Sequence, residues 1–314
     1  MTNSRLFPPV ATIALLAGCG GSQPPIGAAA ATPETSAIVR HAARGTSWMT
    51  PRARSNDLLY LSEDGGSYVY AYSYPGGKLE GTLDTPGWGL CSDAKGDVFV
   101  TDSPISKIFK YAHGGTKVLN TFDDGGYDPV ACSVDPTNGD LAVAGGHGST
   151  SEVTIFSGVK GKRSTYTDAN VGGFEFCGYD GSGDLFVDGL GFNRQFVLAE
   201  LPKGGDALTD ISLDQYITGA GGSIQWDGAH LAIGDLQAEL IYQFDIKKNH
   251  GKEVSYTLLE GAYDISGFLL DGESVIGPDP QDNETLVWSY PAGGPPIQTI
   301  SGVSGQGITL SVRK

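Results

Sequence analysis

Short apolar runs recur along the chain from about residue 57 onward, with large side chains at alternate positions and Gly, Pro, Asp or Asn at their ends. Alternation with period two is the signature of a β-strand, and turn formers between such runs mark hairpins. One phrase repeats: an apolar strand ending in Asp, a tight turn, then a second apolar strand. It reads GLCSDAKGDVFVTD at 89–102, ACSVDPTNGDLAVAGG at 131–146, FCGYDGSGDLFVDG at 176–189, IQWDGAHLAIGD at 224–235 and FLLDGESVIGPD at 268–279. The turn-starting residues Asp93, Asp135, Asp180, Asp227 and Asp271 are separated by 42, 45, 47 and 44 residues. That period is the length of one four-stranded sheet unit. A third, aromatic strand follows each copy, as in KIFKYAHGG (107–115), VTIFSG (153–158), QFVLAELPKGG (195–205), LIYQFDI (240–246) and LVWSYPAGG (286–294), and a fourth extended run completes the unit.

The two ends complement one another. LLYLSE and YVYAYSYPGGKLEGTL (residues 58–83) match the second, third and fourth strands of a unit, with no first strand before them. GQGITLSVRK at the C-terminus matches a first strand with nothing after it. Pairing the last strand with the first three completes a sixth unit and removes the open sheet edges that invite aggregation. The expected fold is all-β: a six-bladed β-propeller of four-stranded blades, closed by a split blade. The repeat resembles NHL-type and related six-bladed propellers over about residues 57–314. That resemblance implies a scaffold whose relatives include binding proteins, lactonases and lyases, so the fold by itself says little about activity.

Composition supports the turns. The chain has 314 residues, 47 of them Gly, and no G-x-y period. Its formal charge is −16. Nucleic-acid binding relies on a basic field, so that class is excluded. Proteins, carbohydrates, cations and uncharged small molecules are the partners the charge allows, and the same charge keeps an exported protein soluble. A closed ring is expected to be monomeric.

The chain begins MTNSRLFPPVATIALLAGCGGS. Arg5 precedes a short apolar run that suits a signal peptide and is too short to span a membrane. Leu16-Ala17-Gly18-Cys19 resembles a bacterial lipobox, which implies cleavage before Cys19 and a lipid on its thiol. Residues 1–18 are thus expected to be a signal peptide with a lipobox. Residues 19–54, rich in Ala, Pro, Ser, Thr and Gly, read as a disordered tether, and residues 55–314 as the propeller. The expected location is extracytoplasmic and membrane-anchored, at an outer membrane, periplasm or cell surface.

In a propeller the loops entering first strands and those joining second to third strands share one face. Trp88, Asp128, Glu175, Asp264 and Gln306 sit on the entering loops and form the candidate ligand-binding face. Second strands end in Asp102, Asp188, Asp235 and Asp279, with Glu63 in the split blade. These acids read either as a ring that gathers a divalent cation or as acceptors for backbone N–H groups in their own turns. Asp64, Asp124, Asp282 and Glu284 add acid to the same face. His147, in GGHGST, is the histidine on a face loop and the candidate acid–base or metal group. His113, His230 and His250 fall in turns elsewhere. No H-E-x-x-H, G-x-S-x-G or P-loop is present. Asp180-Gly-Ser-Gly-Asp184 reads as a hairpin turn rather than a calcium loop. Trp226 and Trp288, inside strands, read as core.

Three cysteines lie in successive first strands. Cys132 and Cys177 stand three residues before their turn Asp, and Cys91 stands two before. Strand alternation therefore turns Cys91 to the opposite sheet face, where it can meet Cys132 across the gap between blades. A Cys91–Cys132 disulfide with Cys177 free is one expectation; three buried thiols are the other. The leading functional reading is a lipid-anchored binding scaffold, needing no cofactor. The alternative is a metal-assisted hydrolase or lyase on the acidic face.

Overall fold

The computed structural model describes residues 46–314 apart from 64–65, 148–149, 159–160, 219–220, 236, 264, 266 and 303–304. Cys19 and the leader lie outside the described residues, as does Asp264. The first sheet holds β1 (Trp48–Met49), β2 (Asp57–Ser62), β3 (Tyr68–Tyr74) and β4 (Leu79–Asp84). The second holds β5 (Leu90–Ser92), β6 (Val98–Asp102), β7 (Lys107–Tyr111) and β8 (Val118–Asp123), and the third β9 (Pro129–Val134), β10 (Leu141–His147), β11 (Thr150–Ser157) and β12 (Lys162–Tyr166). Next come β13 (Val171–Tyr179), β14 (Leu185–Gly191), β15 (Phe196–Leu201) and β16 (Thr209–Leu213), then β17 (Gly221–Trp226), β18 (Leu231–Asp235), β19 (Leu240–Lys247) and β20 (His250–Leu258). These eight form one sheet, because β16 and β20 touch in parallel through Ser212↔His250 and Leu213↔Gly251. The last sheet holds β21 (Leu269–Asp271), β22 (Ser274–Asp279), β23 (Glu284–Ser289) and β24 (Gln298–Ser301). The final strand, β25 (Ile308–Ser311), returns to the first sheet beside β2.

Alternation along each strand feeds two cores. In β2, Leu58 and Tyr60 pack toward Val98 and Val100 of β6, while Leu59 and Leu61 pack toward Ile276 and Val287 of the last sheet. In β6, Phe99 faces the other way, toward Leu141, Val143 and Phe156. In β18, Leu231 and Ile233 join Phe186 and Leu198, while Ala232 joins Val275 and Trp288. Each full burial of such a side chain contributes roughly 1.5–3 kcal/mol. The clusters lie between sheets rather than within them, so consecutive sheets hold one another and the last holds the first. Together these features make an all-β, propeller-like fold.

The closing strand is fixed by register and by side chains. β25 pairs antiparallel with β2 through Leu58↔Ser311 to Leu61↔Ile308. The Ser62 amide donates to the Gly307 carbonyl at 2.9 Å, and the Gly307 amide donates to Ser62 Oγ at 2.7 Å. A Cβ on Gly305 would stand 1.4 Å from the Ser62 carbonyl oxygen, so only glycine fits there. Trp48–Met49, in the stretch that composition places in the tether, forms β1 on the outer edge of β4, with Trp48 opposite Thr82. The following 3-10 turn, Pro51–Arg54, buries Ala53. Edge hydrogen bonds, which composition does not register, hold this segment.

Candidate functional site

The inner strands β5, β9, β13, β17, β21 and β25 and the residues just before them surround a channel of about 670 Å³. Neighbours in this ring are linked directly. Cys91 of β5 is disulfide-bonded to Cys132 of β9, and Cys177 of β13 is a free, buried thiol. The Tyr179 amide donates to Ser133 Oγ at 3.2 Å. Gln225 Nε2 donates to the Phe268 carbonyl at 2.6 Å, and its Oε1 accepts from the Leu270 amide at 2.8 Å. Ser92 Oγ donates to the Leu310 carbonyl at 2.7 Å.

Of the expected face residues, Trp88, Glu175 and Gln306 line the channel together, and Asp128 does not. Trp88 is 39% exposed. Its amide donates to the Thr101 carbonyl at 3.0 Å, and the Gly89 amide donates to Thr101 Oγ1 at 2.7 Å, which pins its loop to β6. Trp226 lines the channel with Phe176 and Tyr179, whereas Trp288 is wholly buried in the core. The inner strand directs Trp226 inward; strand alternation alone does not distinguish a channel face from a core face.

Glu175 owes its place to a bulge. Phe174 pairs with Gly189 and Phe176 with Asp188, so Glu175 is the extra residue of β13. The Phe176 amide donates to Asp188 Oδ1 at 2.9 Å and braces the bulge from below. Gly189 permits it: a Cβ there would meet the Gly173 carbonyl oxygen at 1.9 Å. Glu175 Oε2 and Asp188 Oδ2 are both buried with no hydrogen-bond partner among the described residues. Burial raises the Glu175 carboxyl above its ordinary range. Burial, and then the neighbouring Glu175 charge, raise Asp188 further still. The pair is therefore a carboxyl couple that resists full ionisation, as like charges do in a poorly solvated site.

The other strand-end acids serve the loops. Asp235 accepts from the Thr218 amide at 2.9 Å and from the Ala238 amide at 3.2 Å. Asp279 accepts from the amides of Tyr263 at 2.9 Å and Gln281 at 3.2 Å. Asp102 is buried, and desolvation raises its carboxyl. Glu63 accepts from the Ser67 amide at 3.3 Å and more weakly from Tyr70. Among the described residues no three His, Cys, Asp or Glu side chains cluster in a way that could hold a metal ion. Of the two readings of the strand-end acids, backbone acceptance is seen for Glu63, Asp188, Asp235 and Asp279, while Asp102 Oδ1 is buried with no hydrogen-bond partner among the described residues.

The turn-starting Asp93, Asp135, Asp180 and Asp227 likewise accept backbone amides of their hairpins, among them Asp184 at 2.9 Å from Asp180. The His147 backbone ends β10, and its side chain lies outside the described atoms. His113 bonds Ser311 Oγ at 2.7 Å and the Asn56 carbonyl at 3.0 Å, away from the channel. Ile105, Phe192, Tyr216 and Tyr263 are exposed on loops of the same face as Trp88. Asp124, beyond β8, is buried, and desolvation raises its carboxyl to about 7 against the lowering effect of Thr154 and Arg163. Sequence singled out neither the Glu175–Asp188 pairing nor this shift; both need contacts between separate strands.

No family model and no curated protein sequence matches the chain. Solved structures do. The chain is similar to one from a nidogen/laminin complex, with a TM-score of 0.68 and 14% identity over 82% of this chain and 99% of that one. It is also similar to a streptogramin B lyase structure, with a TM-score of 0.52 and 16% identity over 81% and 76%. Both are propellers, and at these identities the likeness establishes the fold: this chain is a β-propeller protein.

Proposed function

We propose that the chain is an exported, lipid-anchored propeller that binds a ligand in its central channel, a scaffold rather than an enzyme. Counting the eight-stranded sheet as two four-stranded blades gives six blades, with β25 completing the split one. That count agrees with the NHL-like repeat. The lipobox-like Leu16–Cys19 supports an anchor outside the cytoplasm. One observation carries the binding reading: a channel of about 670 Å³ on which Trp88, Glu175 and Gln306 converge. Ligand pockets have this size, with mostly apolar walls and a few placed polar groups. A second reading, a hydrolase or lyase at the same site, draws on the coupled carboxyls of Glu175 and Asp188.

Gly173 gives the test. It lines the channel, and a Cβ there would meet nothing within 4 Å. Gly173→Phe therefore places a ring at the channel wall with its Cβ unobstructed. Ligands found by screening the wild type should lose binding to G173F while its melting temperature is kept. Equal binding to both proteins would falsify a channel site. Mass spectrometry of the bound ligand separates the two readings, because an unchanged ligand fits a scaffold and a cleaved one an enzyme.

A further inference from the structure

We propose that the channel selects an organic cation, an ammonium or guanidinium carried on an apolar body, with Glu175 above Asp188 as its anionic seat. This rests on the channel being the ligand site. Among the described residues lining the channel, Glu175 is the one carboxylate and there is no Lys, Arg or His. Among the described residues the buried Oε2 of Glu175 receives no donor, and Oδ2 of the wholly buried Asp188 is in the same condition. Leaving a buried carboxyl oxygen unpaired is costly, and more so when the group is charged. A cation in the channel supplies a donor to the Glu175 carboxylate and balances the charge that the couple carries; Asp188, buried and outside the lining, acts only through its charge on Glu175. A neutral hydroxyl can donate but leaves the charge unbalanced, and an anion adds repulsion.

The walls suit such a ligand. Trp88, Phe176, Tyr179 and Trp226 are among the residues that line the channel, and aromatic faces attract cations. A divalent metal fits less well. Calcium takes roughly six to eight oxygen ligands, and the described residues hold no three-acid cluster. Of the other titratable groups in β13, burial raises both Cys177 and Tyr179, so they stay neutral and the acid pair sets the local charge.

The test uses the full chain with 2-phenylethylammonium, its neutral isostere 2-phenylethanol and the anion phenylacetate. Calorimetry should show the ammonium binding at least tenfold tighter than the alcohol, with the acetate not bound. Glu175→Gln should bring the ammonium down to the level of the alcohol, and G173F should abolish both. If E175Q does not fold, wild-type titrations at falling pH read the same loss as Glu175 takes up its proton. Ammonium and alcohol binding equally, both blocked by G173F, overturns the cation inference and leaves the channel reading intact. Binding that G173F does not affect overturns both. No ammonium binding at millimolar concentration, or calcium binding lost in E175Q in its place, also overturns the inference.

Discussion

Removing the Cys91–Cys132 bridge tests how the ring of inner strands is held. The bridge joins β5 to β9 across 41 residues of sequence. Chain-entropy theory for a loop of that size gives about 4 kcal/mol of stabilisation, through restriction of the unfolded chain. The sulfurs sit in the cluster with Phe99, Ile108, Leu141, Val143 and Phe156, so alanine rather than serine is the proper replacement. The double variant C91A/C132A should lower the stability from urea melts by about 4 kcal/mol with little change in slope. In a domain of this size that corresponds to about 8–16 °C in melting temperature. Wild type melted under reductant is the control, because it keeps both sulfur atoms and loses only the link. Alkylation in denaturant without reductant should label Cys177 and spare Cys91 and Cys132. Three labelled thiols, or a reduced wild type as stable as the oxidised one, would refute the reasoning.

Two further outcomes are expected. Asp124 titrates near its ordinary value of 3.8 when unfolded and near 7 when folded. The native state therefore holds the extra proton, so the contribution of Asp124 to stability is full below about pH 4 and is lost as pH rises toward and through 7. Asp124→Asn should remove part of that fall, at most about 4 kcal/mol. Urea midpoints at acid and neutral pH check this, and a wild-type-minus-variant difference that does not move with pH contradicts it. Cys19→Ser should release the chain from the membrane fraction of the producing cell; retention in that fraction would rule out a lipid on Cys19 as the anchor.

Sequence by itself determined the all-β class. Side chains such as Leu58 to Leu61 alternate because sheets stacked on both sides need apolar groups on both faces. It also placed the C-terminal strand beside β2, since residues 58–83 lack a first strand and residues 307–313 lack the others. Of the face residues read from the sequence, Trp88, Glu175 and Gln306 line the channel, Glu175 from within β13 rather than from a loop before it, and Asp128 does not. Tertiary structure decided the chemistry. The bulge at Glu175 depends on the cross-strand register with Asp188 and on the close approach of Gly189 to Gly173, neither of which leaves a periodic trace. Whether Asp235 and Asp279 face solvent or backbone depends on loops that fold back over them. A strand pattern records which face a side chain takes; what waits on that face is supplied by residues remote in the chain.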